Sequence, residues 1–134
     1  LSDGPAAPRD TLVGAHVLVV DDDEIFVAAI GRLLEVAGYH VTTASDFQRA
    51  LAALEADRRI DVLVTDIVMP AGVNGIALSR MARLRQRDLR VIYITGYHMP
   101  EAVHEALGPV LRKPVDEEEL LRQVALALAN PPCA

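Results

Sequence analysis

Short runs that are apolar at consecutive positions, Val17-Leu18-Val19-Val20, Val62-Leu63-Val64 and Val91-Ile92-Tyr93-Ile94, alternate here with stretches patterned at helical spacing. A strand with one wet face alternates apolar and polar residues. A strand apolar at every position has to be covered on both faces. The repeating order of such strands and helices therefore predicts an α/β chain whose parallel sheet carries helices on both sides. Right-handed crossovers close it as a single doubly wound five-stranded sheet, order 2-1-3-4-5, flavodoxin-like in topology.

The elements follow from the pattern. Residues 1–14 hold Gly4, Pro5, Pro8 and Gly14 and read as a linker or tail. After the strand at 17–20 comes Asp21-Asp22-Asp23-Glu24, in which Asp23 or Glu24 suits a helix start. Ile25, Phe26, Ala29, Ile30, Leu33, Leu34 and Ala37 recur at helical spacing, and Gly38 fits the stop. A second strand covers 40–44; Ser45 or Asp46 caps a helix built on Phe47, Ala50, Leu51 and Leu54. The third strand ends at Asp66 and opens into the Pro/Gly-rich loop 70–75. Asn74 is placed to cap a helix with Ile76, Leu78, Met81 and Leu84 inside and four arginines outside. A fourth strand spans 90–95, a weakly patterned helix 99–107 and a brief strand 110–112. Asp116 and Glu119 have capping-box spacing ahead of a helix with Val115, Leu120, Leu121, Val124 and Leu128 inward, stopped by Asn130-Pro131-Pro132. The reading is a linker at 1–14, one domain at 15–130 and a short tail at 131–134.

Composition narrows the functions. The 134 residues carry a net charge of −6 and few aromatics, which argues against a nucleic-acid partner. No apolar run approaches the roughly 18–20 residues of a membrane span, and no signal-peptide pattern opens the chain. The single cysteine, Cys133, points to a reducing, cytoplasmic setting. A first residue of Leu1 rather than Met suggests a piece of something longer.

In open parallel sheets, chemistry sits beyond the carboxyl ends of the strands. Four strands deliver polar groups there: Asp21 and Asp22 after the first, Asp66 after the third, Thr95 after the fourth, Lys113 after the fifth. Any one of them reads as a turn, a cap or a solvated side chain; their convergence on one rim does not. Two carboxylates about 4 Å apart repel by roughly 4 kcal/mol at an effective dielectric near 20. Three of them are protonated or destabilising unless a cation sits between. Hard oxygen donors suit Mg²⁺, and no His/Cys spacing suits zinc. A carboxylate beside Mg²⁺, an ammonium and a hydroxyl is equipped to attack or hold a phosphoryl group.

Val17-Leu18-Val19-Val20-Asp21-Asp22-Asp23, Thr65-Asp66-Ile67-Val68-Met69-Pro70, Ile94-Thr95-Gly96 and Lys113-Pro114 together resemble the receiver domain of two-component response regulators, over about residues 15–130. The resemblance implies that Asp66 accepts a phosphoryl group from a phosphohistidine on a histidine kinase or histidine phosphotransfer protein. It implies Mg²⁺ on Asp22, Asp66 and the Val68 carbonyl, with Asp21 acting through water. Thr95 and Lys113 are expected on the phosphoryl oxygens. Such a module is a switch rather than an enzyme in the usual sense, catalysing its own phosphorylation and dephosphorylation. Its output is a contact with a fused or separate protein, with no membrane contact of its own.

This sequence departs from the family's pattern in three places. Four residues, 71–74, precede Gly75, more than is usual. The span from Thr95 to Lys113 is short. Val110 stands where a switching aromatic often does, so Tyr97, close behind Thr95, is expected to take part of that role, to gate the site, or to be a plain surface aromatic. The short fourth segment and Thr95-Gly96-Tyr97 also resemble receivers of hybrid histidine kinases. Against the receiver reading stand a haloacid-dehalogenase-type phosphatase, a degenerate receiver that only binds partners, and an FMN binder. The first lacks a late acidic pair and a cap domain. The second is opposed by the complete acidic set, and the third by a first loop of aspartates rather than Ser/Thr/Gly. His16, His40, His98 and His104 read as solvated or locally bonded. Arg80, Arg83, Arg85 and Arg87 are able to meet an acidic partner, a solvated face being the plainer reading.

Overall fold

The computed structural model describes residues 14–56, 59–68 and 74–129. Most of the leading linker, the loop residues 69–73 and the closing 130–134 lie outside the described residues. The elements are β1 (His16–Val20), α1 (Glu24–Val36), β2 (His40–Ala44), α2 (Phe47–Glu55), β3 (Val62–Asp66), α3 (Gly75–Arg85), β4 (Arg90–Thr95), α4 (Glu101–Leu107), β5 (Val110–Arg112) and α5 (Glu117–Ala129). All strand pairs are parallel, in the order β2-β1-β3-β4-β5. The order matches the expectation.

Period-two alternation sorts the strand residues between two cores. Val17, Val19, Val62, Val64, Ile92 and Ile94 pack with Val27, Ile30 and Leu34 of α1 and with Leu120 and Val124 of α5. Leu18, Val20, Leu63, Val91 and Tyr93 pack with Ala50 and Leu54 of α2 and with Leu78 and Ala82 of α3. Complete burial of a leucine such as Leu34 or Leu63 contributes about 2 kcal/mol.

Helix ends follow local chemistry. Asp23, Asp46 and Asn74 are N-caps, each accepting backbone N–H bonds from the first turn. α1 closes on Gly38 at φ 107°, with the Tyr39 N–H on the Leu34 carbonyl and the Gly38 N–H on the Glu35 carbonyl. The expected capping box of α5 is half made. Asp116 accepts from Glu118 and Glu119, but Glu119 turns to Arg122 and Gln123 instead of back to the cap.

Two helix faces differ from the expected stripes. In α1 the buried set is Val27, Ile30, Gly31 and Leu34, while Ile25 and Ala29 stand in solvent. α3 buries Gly75, Leu78, Ser79 and Ala82, and Leu84 is 83% exposed. Small residues let α3 lie close on the sheet, so Ala82 fills the inward position that a larger side chain was expected to take. His16 is buried with Nε2 2.6 Å from the Thr42 hydroxyl, and His40 and His98 are exposed.

Candidate phosphoacceptor site

The parity that builds the cores also aims the site. Asp66 follows Val62 and Val64 in the β3 alternation, Asp21 continues that of Val17 and Val19, and Lys113 that of Leu111. All three side chains are thereby sent to the α1–α5 side of the sheet's carboxyl edge. There Lys113 Nζ lies 2.7 Å from Asp21 Oδ2 and 3.7 Å from Asp66 Oδ2. Carboxylate oxygens of Asp21, Asp22 and Asp66 all come within 4.8 Å of one another. Asp21 and Asp66 are buried and Asp22 is exposed at the mouth.

Each carboxylate is held by its own turn. Asp21 Oδ1 accepts the Asp23 N–H at 2.9 Å, and the same Asp23 then caps α1. The acidic run is thus divided between site and cap. Asp66 Oδ1 accepts the Val68 N–H at 3.2 Å. Val68 itself is exposed beside the acids. The Lys113 ammonium sits 4.6 Å from the centroid of the Phe26 ring, a cation–π contact from the first turn of α1. The Lys113–Pro114 peptide is cis.

Thr95 is brought to the same edge but is otherwise engaged. It is buried at the end of β4, one residue past Ile94, which is the register partner of Asp66. Its hydroxyl accepts the Tyr97 N–H at 3.1 Å, and its carbonyl accepts the Lys113 N–H at 2.8 Å. The Tyr97 ring is 62% exposed, so the link from Tyr97 to the site runs through its backbone. Val110, on β5 opposite Tyr93, is half-buried.

Two further residues bear on the site and were not singled out by sequence reasoning. Apolar spacing places Phe26 only in the core stripe of α1. Gly75 is the first residue of α3, directly after the expected Asn74 cap. Its N–H donates to the Ile67 carbonyl at 2.9 Å, and a Cβ there would lie 2.1 Å from the Asp66 carbonyl oxygen. No pattern in one dimension reports such an approach; only the meeting of α3 with β3 does.

Three carboxylates and one ammonium leave a local formal charge of −2. Burial, then the Asp21 charge, push Asp66 above the usual carboxylate value; Lys113 and the Val68 N–H oppose them, and Asp22 adds to the rise. Burial pulls Lys113 down, but the hydrogen bond and charge of Asp21, with Asp66 and Asp22 behind, outweigh it and leave Lys113 raised. The buried Asp21 Oδ2 faces the Lys113 ammonium at 2.7 Å. Hard anionic oxygens with an uncompensated −2 fit Mg²⁺.

A stability consequence follows from the raised Asp66. Below the ordinary carboxylate pKa both folded and unfolded forms are protonated there. Between that value and the raised one the folded form holds more protons, so stability falls as pH rises through the window. In Mg²⁺-free buffer, Asp66→Asn is expected to be more stable than the parent at neutral pH and indistinguishable from it below the window, by urea unfolding. Equal stability at both pH values would show that the acids do not repel as described.

The family model of the response regulator receiver domain matches residues 17–125. The chain is 37% identical over 128 residues to the C4-dicarboxylate transport transcriptional regulatory protein DctD of Pseudomonas aeruginosa, covering 92% of this chain and 27% of that protein. It is 29% identical over 125 residues to the putative two-component response regulator ARR21 of Arabidopsis thaliana, covering 91% of this chain and 20% of the other. The chain thus spans less than a third of either relative. Among solved structures it is similar to the Vibrio cholerae chemotaxis protein CheY4, with TM-score 0.75, 30% identity and coverage of 85% and 98%. It is also similar to the receiver domain of the hybrid histidine kinase CckA, with TM-score 0.73, 31% identity and coverage of 85% and 99%. Among the described residues no helix is long and apolar enough to cross a membrane. Sheet order, acidic edge and family match agree, and the chain belongs to the response regulator receiver domains of two-component signalling.

Proposed function

We propose that Asp66 is the phosphoacceptor and that phosphorylation there switches a protein contact. The observation that carries this reading is the Lys113 ammonium lodged between Asp21 and Asp66, with the Asp22 carboxylate beside them. A carboxylate oxygen of Asp66 attacks the phosphorus of a phosphohistidine. The N–P bond breaks, the imidazole of the histidine kinase or phosphotransfer protein leaves with the electron pair, and an acyl phosphate forms. Lys113 neutralises charge on the phosphoryl oxygens. Thr95 exchanges its bond from Tyr97 for one donated to the phosphoryl group, which frees the Tyr97 N–H. Asp22, Asp66 and the Val68 carbonyl would hold Mg²⁺ directly and Asp21 through water. The chemistry supplied by the bound ion is charge neutralisation at the transferring group.

The test is the intact mass of the purified chain after exposure to phosphoramidate, with and without Mg²⁺, beside Asp66→Asn. One phosphoryl group that requires both Mg²⁺ and Asp66 is expected. Continuous turnover of the donor without a labelled chain would point to a phosphatase. Absence of any label would leave a module that only binds partners.

A further inference from the structure

The outer face of α3 has a character unlike the rest of the molecule. The chain carries −6 overall, yet residues 75–87 hold Arg80, Arg83, Arg85 and Arg87 and no acid. Arg85 is paired with Glu55 at 2.7 Å. Arg80, Arg83 and Arg87 have no acidic partner among the described residues. At 100° per residue, Arg80, Arg83 and Leu84 fall on one stripe of α3; the helix stops at Arg85, and Arg87 follows the extended Gln86 just beyond it. Leu84, 83% exposed, sits among the arginines. The Arg83 guanidinium donates to the Leu89 carbonyl at 3.4 Å. An exposed apolar side chain flanked by cations with no acidic partner among the described residues is the pattern of a contact surface rather than of a merely solvated helix.

The same helix is tied to both strands that carry the switch. Its first residue, Gly75, rests on the Asp66 carbonyl with no side chain between. One turn on, the Ser79 hydroxyl and the Tyr93 hydroxyl of β4 are 2.6 Å apart and buried, two residues before Thr95. A shift of Asp66 or of the end of β4 therefore reaches α3 through backbone contact and one hydrogen bond. By contrast α4 has seven residues and buries none of them.

We infer that the exposed stripe of α3 (Arg80, Arg83, Leu84), with Arg87 beyond its end, is an output surface of this receiver, and that its partner is an acidic amphipathic protein helix. The inference rests on the phosphoacceptor reading of Asp66 for its switching, and on the stripe alone for its chemistry. A polyanion such as nucleic acid or an anionic membrane fits less well, because the rest of the acidic surface repels it. An acidic helix places carboxylates one turn apart, at the spacing of Arg80 and Arg83, and offers an apolar notch to Leu84.

The probe is a synthetic helical peptide with glutamates at i, i+3 and i+7 and leucine at i+4. It is titrated into the ¹⁵N-labelled full chain before and after phosphorylation by phosphoramidate with Mg²⁺. Amide shifts centred on Arg80, Arg83 and Leu84 are expected, with an affinity that changes on phosphorylation. Arg80→Glu with Arg87→Glu, both exposed and without an acidic partner among the described residues, is expected to weaken binding about tenfold. Shifts confined to α4 and β5, or no binding in either state, overturn the inference while leaving the acceptor reading intact. An equal response of the stripe to duplex DNA or to phosphatidylserine vesicles overturns the choice of a protein partner. Binding at α3 by a chain that takes no phosphoryl group keeps the surface and removes the switch beneath it.

Discussion

Gly75→Ala is expected to destabilise the domain by about 1–3 kcal/mol and to abolish most phosphoryl acceptance at Asp66. The direction is the informative part. In an ordinary helix, alanine in place of glycine gains up to about 1 kcal/mol. At this position the added Cβ would meet the Asp66 carbonyl oxygen at 2.1 Å and the Thr65 side chain at 3.0 Å. The obstruction is backbone, so it cannot rotate away. Either α3 lifts from the sheet, or the end of β3 is pushed toward Asp21 and Lys113. Both routes displace the acceptor. Urea unfolding gives the stability change, and the intact mass after phosphoramidate gives the acceptance. A stabilised Gly75→Ala that is labelled at the parental rate would show that the close approach does not constrain the site.

Lys113→Met separates charge from packing. Methionine keeps an unbranched apolar chain beside Phe26 and removes the ammonium from between Asp21 and Asp66. Losing one donor aimed at developing charge costs about 10²–10³ in rate, and that loss is expected in labelling by phosphoramidate. Without Mg²⁺ the variant is also expected to lose about 1–3 kcal/mol of stability, because the buried Asp21 Oδ2 has no other compensating charge. Mg²⁺ affinity should move the other way. The site goes from a formal −2 to −3, so the divalent ion is bound more tightly, as read by calorimetric titration. Weaker Mg²⁺ binding together with slower labelling would mean that Lys113 shapes the pocket rather than supplying charge.

The strand order and the acidic edge could be read in the sequence because both rest on period-two alternation. Val17, Val19, Val62 and Val64 declare strands covered on both faces, and the same parity places Asp21 and Asp66 on one side. The inner faces of α1 and α3 were less legible. α1 is apolar around most of its circumference, so a stripe through Ile25 and Ala29 satisfies helical spacing as well as the true one through Val27, Gly31 and Leu34. Only packing against the sheet chooses between them. α3 misleads for the opposite reason. Its inward positions are small, Gly75, Ser79 and Ala82 beside Leu78, whereas sequence reasoning assigns large side chains inward and so buried Leu84. Phe26 serves two environments at once, partly in the α1–α5 core and partly against the Lys113 ammonium. Apolar spacing reports only the first.

The hydrogen bond from the Gly75 N–H to the Ile67 carbonyl joins two points eight positions apart in the chain. Whatever length of chain runs between them, its ends are fixed just past β3 and at the start of α3. Doubling a flexible loop adds only about 0.6 kcal/mol of closure entropy. Insertions between Val68 and Asn74 are therefore cheap, and they leave Asp66 where it is. This junction is where an epitope, a fluorophore site or a graft from a related chain can be spliced into the domain without moving its chemistry.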